Sequence, residues 1–157
     1  MHIDTVALET TDGLTLQGDL AVPDRVVGAA VMCHPHPRYG GDRFNVVVDA
    51  LLRALSGDDL ATVRFDFRGV NASEGCHSGG VEEPMDVTAA LEAVEGFAGD
   101  GPLLLAGYSF GALVALDVAH PRLDAWLAVA PPLVMASHAP VAASDARPKV
   151  LLVAEHD

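Results

Sequence analysis

Residues 102–112, PLLLAGYSFGA, constrain the fold more than any other stretch of this chain. A short apolar run bounded by Gly101 and Pro102 predicts a buried strand. It leads straight into Gly107-Tyr108-Ser109-Phe110-Gly111, after which residues 112–120 predict a helix. Strand, sharp turn and helix in direct succession place one serine at the apex. Side chains two positions either side of that serine would collide with the neighbouring strand and helix, so Gly107 and Gly111 have a mechanical reason to be glycine. Two readings of Ser109 stay open on these residues alone: a nucleophile on a strained turn, or a plain helix cap.

The rest of the chain supplies the sheet such a unit needs. Val6, Leu8, Leu14, Leu16 and Leu20 alternate on either side of Asp12-Gly13, which predicts a two-stranded hairpin turning near residues 11–13. Residues 26–33, nearly all apolar, read as a central strand ending in the loop His34-Pro35-His36-Pro37-Arg38-Tyr39-Gly40-Gly41. Val47, Val48, Leu51, Leu52 and Leu55 recur at helical spacing after Asp42 or Asn45, and Gly57 stops that helix. Residues 60–67 read as a strand, residues 68–75 as its loop, and residues 81–97 as a helix with Pro84 early in it. Beyond the serine, strands are expected at 125–129 and 149–154, with a polar connection at 137–148. Strands alternating with helices predict an α/β fold: an N-terminal antiparallel hairpin leading into a mostly parallel sheet, helices on both faces, one domain over residues 1–157. Ligands of such sheets bind beyond the carboxyl ends of the strands, where every unusual loop of this chain falls.

Charge narrows the class of partner. Nine Lys and Arg against 22 Asp and Glu leave a formal charge of −13. That balance speaks against nucleic acid and against an anionic membrane surface. No apolar run approaches a membrane-spanning length and no leader pattern opens the chain, so a cytoplasmic protein without a membrane partner is expected. Cys33 and Cys76 form no disulfide framework and read as reduced thiols. His34 and His36, two apart, could begin a metal site, but no third ligand has suitable spacing, and no metal is assigned. Either imidazole could instead act as a base for Ser109 or hydrogen-bond the loop, with one lining a substrate cleft.

These motifs resemble the α/β-hydrolase superfamily, in particular small bacterial hydrolase-like proteins related to dienelactone hydrolase. The resemblance rests on His34-Pro35-His36-Pro37 with Gly40-Gly41, on Arg64-Phe65-Asp66-Phe67-Arg68-Gly69, on Ser73-Glu74-Gly75, on residues 107–112, on Pro131-Pro132 and on residues 151–157. They occur in family order and span nearly the whole chain. Asn71 departs from the pattern, standing where such loops carry glycine, and His77 stands in place of an aromatic.

The resemblance implies a serine hydrolase of small acyl substrates (ester, thioester or lactone), working through an acyl-enzyme without metal or organic cofactor. Ser109 would be the nucleophile and Asp157 the acid that orients a histidine. The N–H of Phe110 would be one oxyanion donor. The second would come from the loop after residue 33. Pro35 and Pro37 have no N–H, which leaves His34, His36 or Arg38 to donate; His36 is favoured and Arg38 is the alternative. His34, Tyr39 and Tyr108 are candidates for the substrate cleft, and residues 135–148 for its wall. Asp66 and Arg68 are expected to be structural, Arg68 bridging to Glu83 or Asp86. The family's catalytic histidine follows the acid-bearing strand, and this sequence has no counterpart after Asp157. A longer polypeptide is therefore expected, and the apolar strand at 149–154 would otherwise be an open edge through which copies could associate. The alternatives are a non-catalytic binding or scaffold protein and an acyltransferase.

Overall fold

The alternation around Asp12-Gly13 forms the hairpin. Strands β1 (His2–Glu9) and β2 (Thr15–Val22) pair antiparallel with Leu8 opposite Leu16. The turn between them is closed by Thr10, whose hydroxyl accepts the Leu14 N–H at 2.9 Å. The computed structural model describes residues 1–154 and continues with five more strands: β3 (Gly28–Cys33), β4 (Leu60–Phe65), β5 (Leu103–Tyr108), β6 (Ala125–Val129) and β7 (Lys149–Leu152). All seven join one sheet in the order β1-β2-β4-β3-β5-β6-β7. The two junctions involving β2 are antiparallel and the other four are parallel.

Every residue of β3 and β4 is buried; β3 therefore reads as a continuous apolar run, while in β4 Thr62 and Arg64 are buried against Ser56 and Asp19. Successive side chains of β3 still part company. Met32 packs with Val48 and Leu52 of helix α1 (Val46–Gly57) on one face. Val31 and Cys33 face the other side with Val87 and Leu91 of α2 (Glu83–Ala98) and Ala112 of α3 (Phe110–Leu116). Helices thus cover both faces, and the expected α/β-hydrolase-like sheet is present. Because β3 to β7 run the same way, the loops after β3, β4, β5 and β6 meet at one edge.

Element ends differ from expectation where side chains redirect the backbone. Strand β4 stops at Phe65, two residues early. Asp66 turns its carboxylate onto the Arg43 N–H at 2.8 Å, and the Phe67 N–H donates to His34 Nε2 at 3.0 Å instead of to a strand. Helix α2 begins at Glu83 rather than 81, since Gly79 and Gly80 hold φ of +74° and +97°. Helix α3 starts directly after the serine and ends at Leu116, four residues short of 120. There the Asp117 and Val118 N–H groups tighten onto the carbonyls three residues back, and the Trp126 indole donates to the Ala115 and Val118 carbonyls. Strand β7 ends at Leu152, with Val150, Leu151 and Leu152 about half exposed. In the connection before it, two short 3-10 turns occupy Leu133–Met135 and Val141–Ser144.

Candidate active site

Strand β5 delivers its serine with the backbone under strain. Ser109 adopts φ +52° and ψ −119°, a region an L-residue occupies only when its surroundings enforce it. Three contacts do so. The Ser109 N–H donates to the Val129 carbonyl at 2.9 Å, anchoring the apex to β6. A Cβ on Gly107 would strike the backbone of Gly111 and Ala112, and one on Gly111 would strike the carbonyls of Cys33 and His34. The turn therefore closes onto the end of β3 and the start of α3 with no room for a side chain. Ser109 makes no capping hydrogen bond to α3, which removes the plain-cap reading. Its half-buried side chain lines a cavity of about 440 Å³.

The loop after β3 reaches the same cavity through His36 and Tyr39. His36 precedes the 3-10 turn Pro37–Tyr39 and its Nδ1 accepts the Arg38 N–H at 3.1 Å. Arg38 has thereby committed its donor. The His36 and Phe110 N–H groups have no hydrogen-bond partner among the described residues. The His36 ring packs 4.9 Å from Phe110 and 4.8 Å from His77, so the two N–H-bearing residues are held by a shared aromatic cluster. Burial, then the neighbouring His77 and Arg38, lower the His36 pKa. A neutral ring with its proton on Nε2 is also what the Arg38 hydrogen bond requires.

Two cleft candidates lie elsewhere. His34 is fully buried, and its ring bridges two loops: Nε2 accepts from Phe67 N–H, so Nδ1 carries the proton and donates to the Pro35 carbonyl at 2.7 Å. Burial lowers its pKa, in keeping with that neutral form. His34 and His36 thus point to different tasks and do not converge on a common ligand. Tyr108 ends β5 opposite Val129 and does not line the cavity. Tyr39 does, at its mouth, 88% exposed. Asp157 lies outside the described residues.

Behind the site stands a layer of buried charge. Arg68 is 1% exposed and Asp86 fully buried. Asp86 receives the Arg68 backbone N–H at 2.9 Å, Nε at 3.0 Å and a terminal guanidinium nitrogen at 2.7 Å, and Asp12 and Glu82 take the remaining donors. Of the two partners expected for Arg68, Asp86 is the one it meets. Glu83 instead gathers Ser78 and the Gly80 N–H. Burial pushes its carboxyl up, but those donors more than offset this and its pKa is lowered. His77 Nδ1 lies 2.9 Å from Glu83 Oε1 without hydrogen-bond geometry, and its ring fills the aromatic position beside Phe110. Asn71 sits at φ +48° and donates to Asp66 at 3.0 Å, so asparagine serves a left-handed position that would otherwise take glycine.

Sequence reasoning missed three residues here. Arg43 is buried between Asp19 and Asp66 and carries the loop before α1; a lone arginine beside a helix start gives no such signal. Asp117 and His138 line the cavity and contact each other at 2.9 Å. Asp117 was legible in principle, being two four-residue steps from Ser109 along one helix face.

Solved structures of similar shape carry the same arrangement of elements. An α/β serine hydrolase homologue from Coxiella burnetii is 33% identical with a TM-score of 0.83, over 96% of this chain and 73% of that one. A lid-less α/β serine hydrolase from Xanthomonas campestris is 31% identical with a TM-score of 0.81, over 98% and 70%. The chain belongs to the α/β-hydrolase superfamily. Within it, a family model described as a thioesterase domain matches residues 85–151, from α2 through β7. An uncharacterised protein of Rickettsia prowazekii is 35% identical over 107 residues, 66% of this α/β-hydrolase chain. The chain spans 45% of the length of that curated relative. No helix among the described residues is long and apolar enough to cross a membrane.

Proposed function

We propose that this α/β hydrolase cleaves small acyl esters or thioesters through a covalent acyl-serine at Ser109. The observation that carries the reading is the serine itself: strained at φ +52°, free of any capping bond, and open to an apolar-walled cavity. Ser109 Oγ attacks the substrate carbonyl carbon while a base from outside the described residues takes its proton. The tetrahedral oxyanion is held by the N–H groups of Phe110 and His36, each worth about 3 kcal/mol of barrier. Collapse expels the alcohol or thiol, which receives the proton, and water then releases the acid and restores the serine. Asp157 orients the base. Arg38, the other candidate donor, is disfavoured because its N–H already serves His36 Nδ1. The thioesterase family match supports thioesters beside oxygen esters.

The purified full-length protein is expected to hydrolyse short para-nitrophenyl and thiol esters, and Ser109→Ala to abolish both. Hydrolysis equal in the two proteins, or absent from both, would overturn the reading in favour of a binding role for the cavity.

A further inference from the structure

Ser109, Leu113 and Asp117 follow one another at four-residue spacing, and all three line the cavity. Residues so spaced share one helix face, so the cavity runs along α3 from the serine at its N-cap to the carboxylate at its C-cap. Eight residues at 1.5 Å each separate those ends by about 12 Å. Between them the lining is apolar, formed by Val81, Pro84, Leu113, Val114 and Met135.

The outer wall of this slot is residues 132–140, which pair with no strand. Val134 and Met135 are 98% and 72% exposed among the described residues, whereas Ala142, just past the wall, is buried. Asp117 ties the wall to α3. Its Oδ1 accepts the Val141 N–H at 3.2 Å and its Oδ2 lies 2.9 Å from His138 Nε2. His138 Nδ1 lies 3.0 Å from Ser137 Oγ. With Nε2–H donating to the carboxylate and Nδ1 accepting from the hydroxyl, one tautomer satisfies both contacts. The wall is thereby clasped to the end of α3 by two polar contacts on one side chain.

We infer that the Asp117–His138 clasp sets the length of the apolar chain this cavity takes, with the chain's carbonyl at Ser109 and its tail stopped at Asp117. The placing of the carbonyl rests on the acyl-serine reading; the stop does not. A carboxylate ends a hydrocarbon slot because covering it with alkyl groups would strip its water without replacing the hydrogen bonds. An extended alkyl chain advances about 1.25 Å per carbon, from bonds of ~1.52 Å at ~111°. Side chains at both ends take part of the 12 Å span, which leaves room for about six to eight carbons.

The test is binding, so it does not need turnover. In the full chain carrying Ser109→Ala, straight-chain methyl ketones of increasing length displace an uncharged dye whose emission shifts in apolar surroundings. Affinity is expected to rise about fourfold per methylene and to level off near eight carbons. Adding Asp117→Ala frees the wall and moves the break to longer chains. Ala136→Trp, which fills the slot and leaves the clasp intact, moves it to shorter ones. If Asp117→Ala does not fold, His138→Ala removes one of the two contacts and shifts the break the same way. An unmoved break in the folded clasp variant overturns the inference, as does an affinity indifferent to chain length. Failure of the nucleophile reading shows elsewhere, as ester hydrolysis that survives Ser109→Ala while the ketone series is unchanged.

Discussion

Replacing Arg68 by alanine removes the only guanidinium among the described residues that reaches Asp86. Three of the hydrogen bonds that Asp86 accepts come from Arg68, two of them from the side chain, and both residues are sealed from water. The substitution leaves a fully buried carboxylate with one backbone N–H. Breaking a buried pair on one side costs about 3–5 kcal/mol, and the loss of the arginine's own packed stem adds to it. Asp12 and Glu82, the other partners, are 33% and 53% exposed and return to solvent at little cost. In a domain of this size the expected loss lowers the unfolding midpoint by roughly 6–20 °C.

The same variant carries a signature in pH. Burial raises the Asp86 pKa in the native protein, while Arg68 pulls it down against that trend. Without Arg68 the folded-state pKa rises further. A group whose folded pKa lies above its unfolded value favours the folded state at low pH and loses that contribution as pH climbs through the folded value. Acidification therefore lets Asp86 protonate in Arg68→Ala and recovers part of the lost stability relative to the parent. Urea unfolding of both proteins at neutral and mildly acidic pH measures the difference directly. A loss below about 0.5 kcal/mol at neutral pH refutes the reasoning. So does a loss of several kcal/mol that is the same at both pH values.

Three further expectations concern the turn and the loop beside it. Ser109→Gly relieves the positive φ and sacrifices no hydrogen bond, so it should abolish hydrolysis while raising stability by about 1 kcal/mol; thermal melts beside ester assays check the pair. Gly111→Ala drives a methyl into the Cys33 and His34 carbonyls and should cost about 3 kcal/mol or more, with poor soluble yield as the first sign and the urea midpoint as the measure. His34→Gln tests the bridging imidazole. Its depressed folded pKa means that His34 contributes stability above its unfolded value near 6.5, which is lost as pH falls through the folded value. The native protein should weaken more steeply than His34→Gln as pH falls below about 6.5, and parallel pH profiles would sink the assignment.

Much of the fold was legible because its signals are local. Asp12-Gly13 marks the hairpin, Gly57 ends α1 as read, and the two glycines around Ser109 report a steric constraint the structure reproduces atom by atom. What escaped the sequence are partnerships between distant residues. Nothing local shows that His34 accepts a hydrogen bond from a backbone 33 residues away, and so its histidine reads equally well as a cleft residue. Arg43 and Asp66, 23 apart, become a buried pair only once β4 lies beside β2 and β3. Ends of elements were misjudged for the same reason: Asp66 and the Trp126 indole redirect backbone that local pattern would have continued. In the loop after β3, no local pattern shows that the Arg38 N–H is taken by the His36 ring nitrogen.

The sheet order has a consequence for how the protein matures. The wall against which Gly111 closes belongs to β3, yet the serine lies 76 positions further along the chain. Strand β5 docks on β3, and between the two along the chain lie two helical crossovers and β4, which pairs on the far side of β3. Contacts of such sequence separation form slowly, because loop-closure entropy precedes their reward. The turn at Ser109 cannot be pressed into its strained shape until that docking is complete. During refolding, then, helical signal should recover first and the proposed hydrolysis at Ser109 last, and the interval between them times the arrival of β5 in the centre of the sheet.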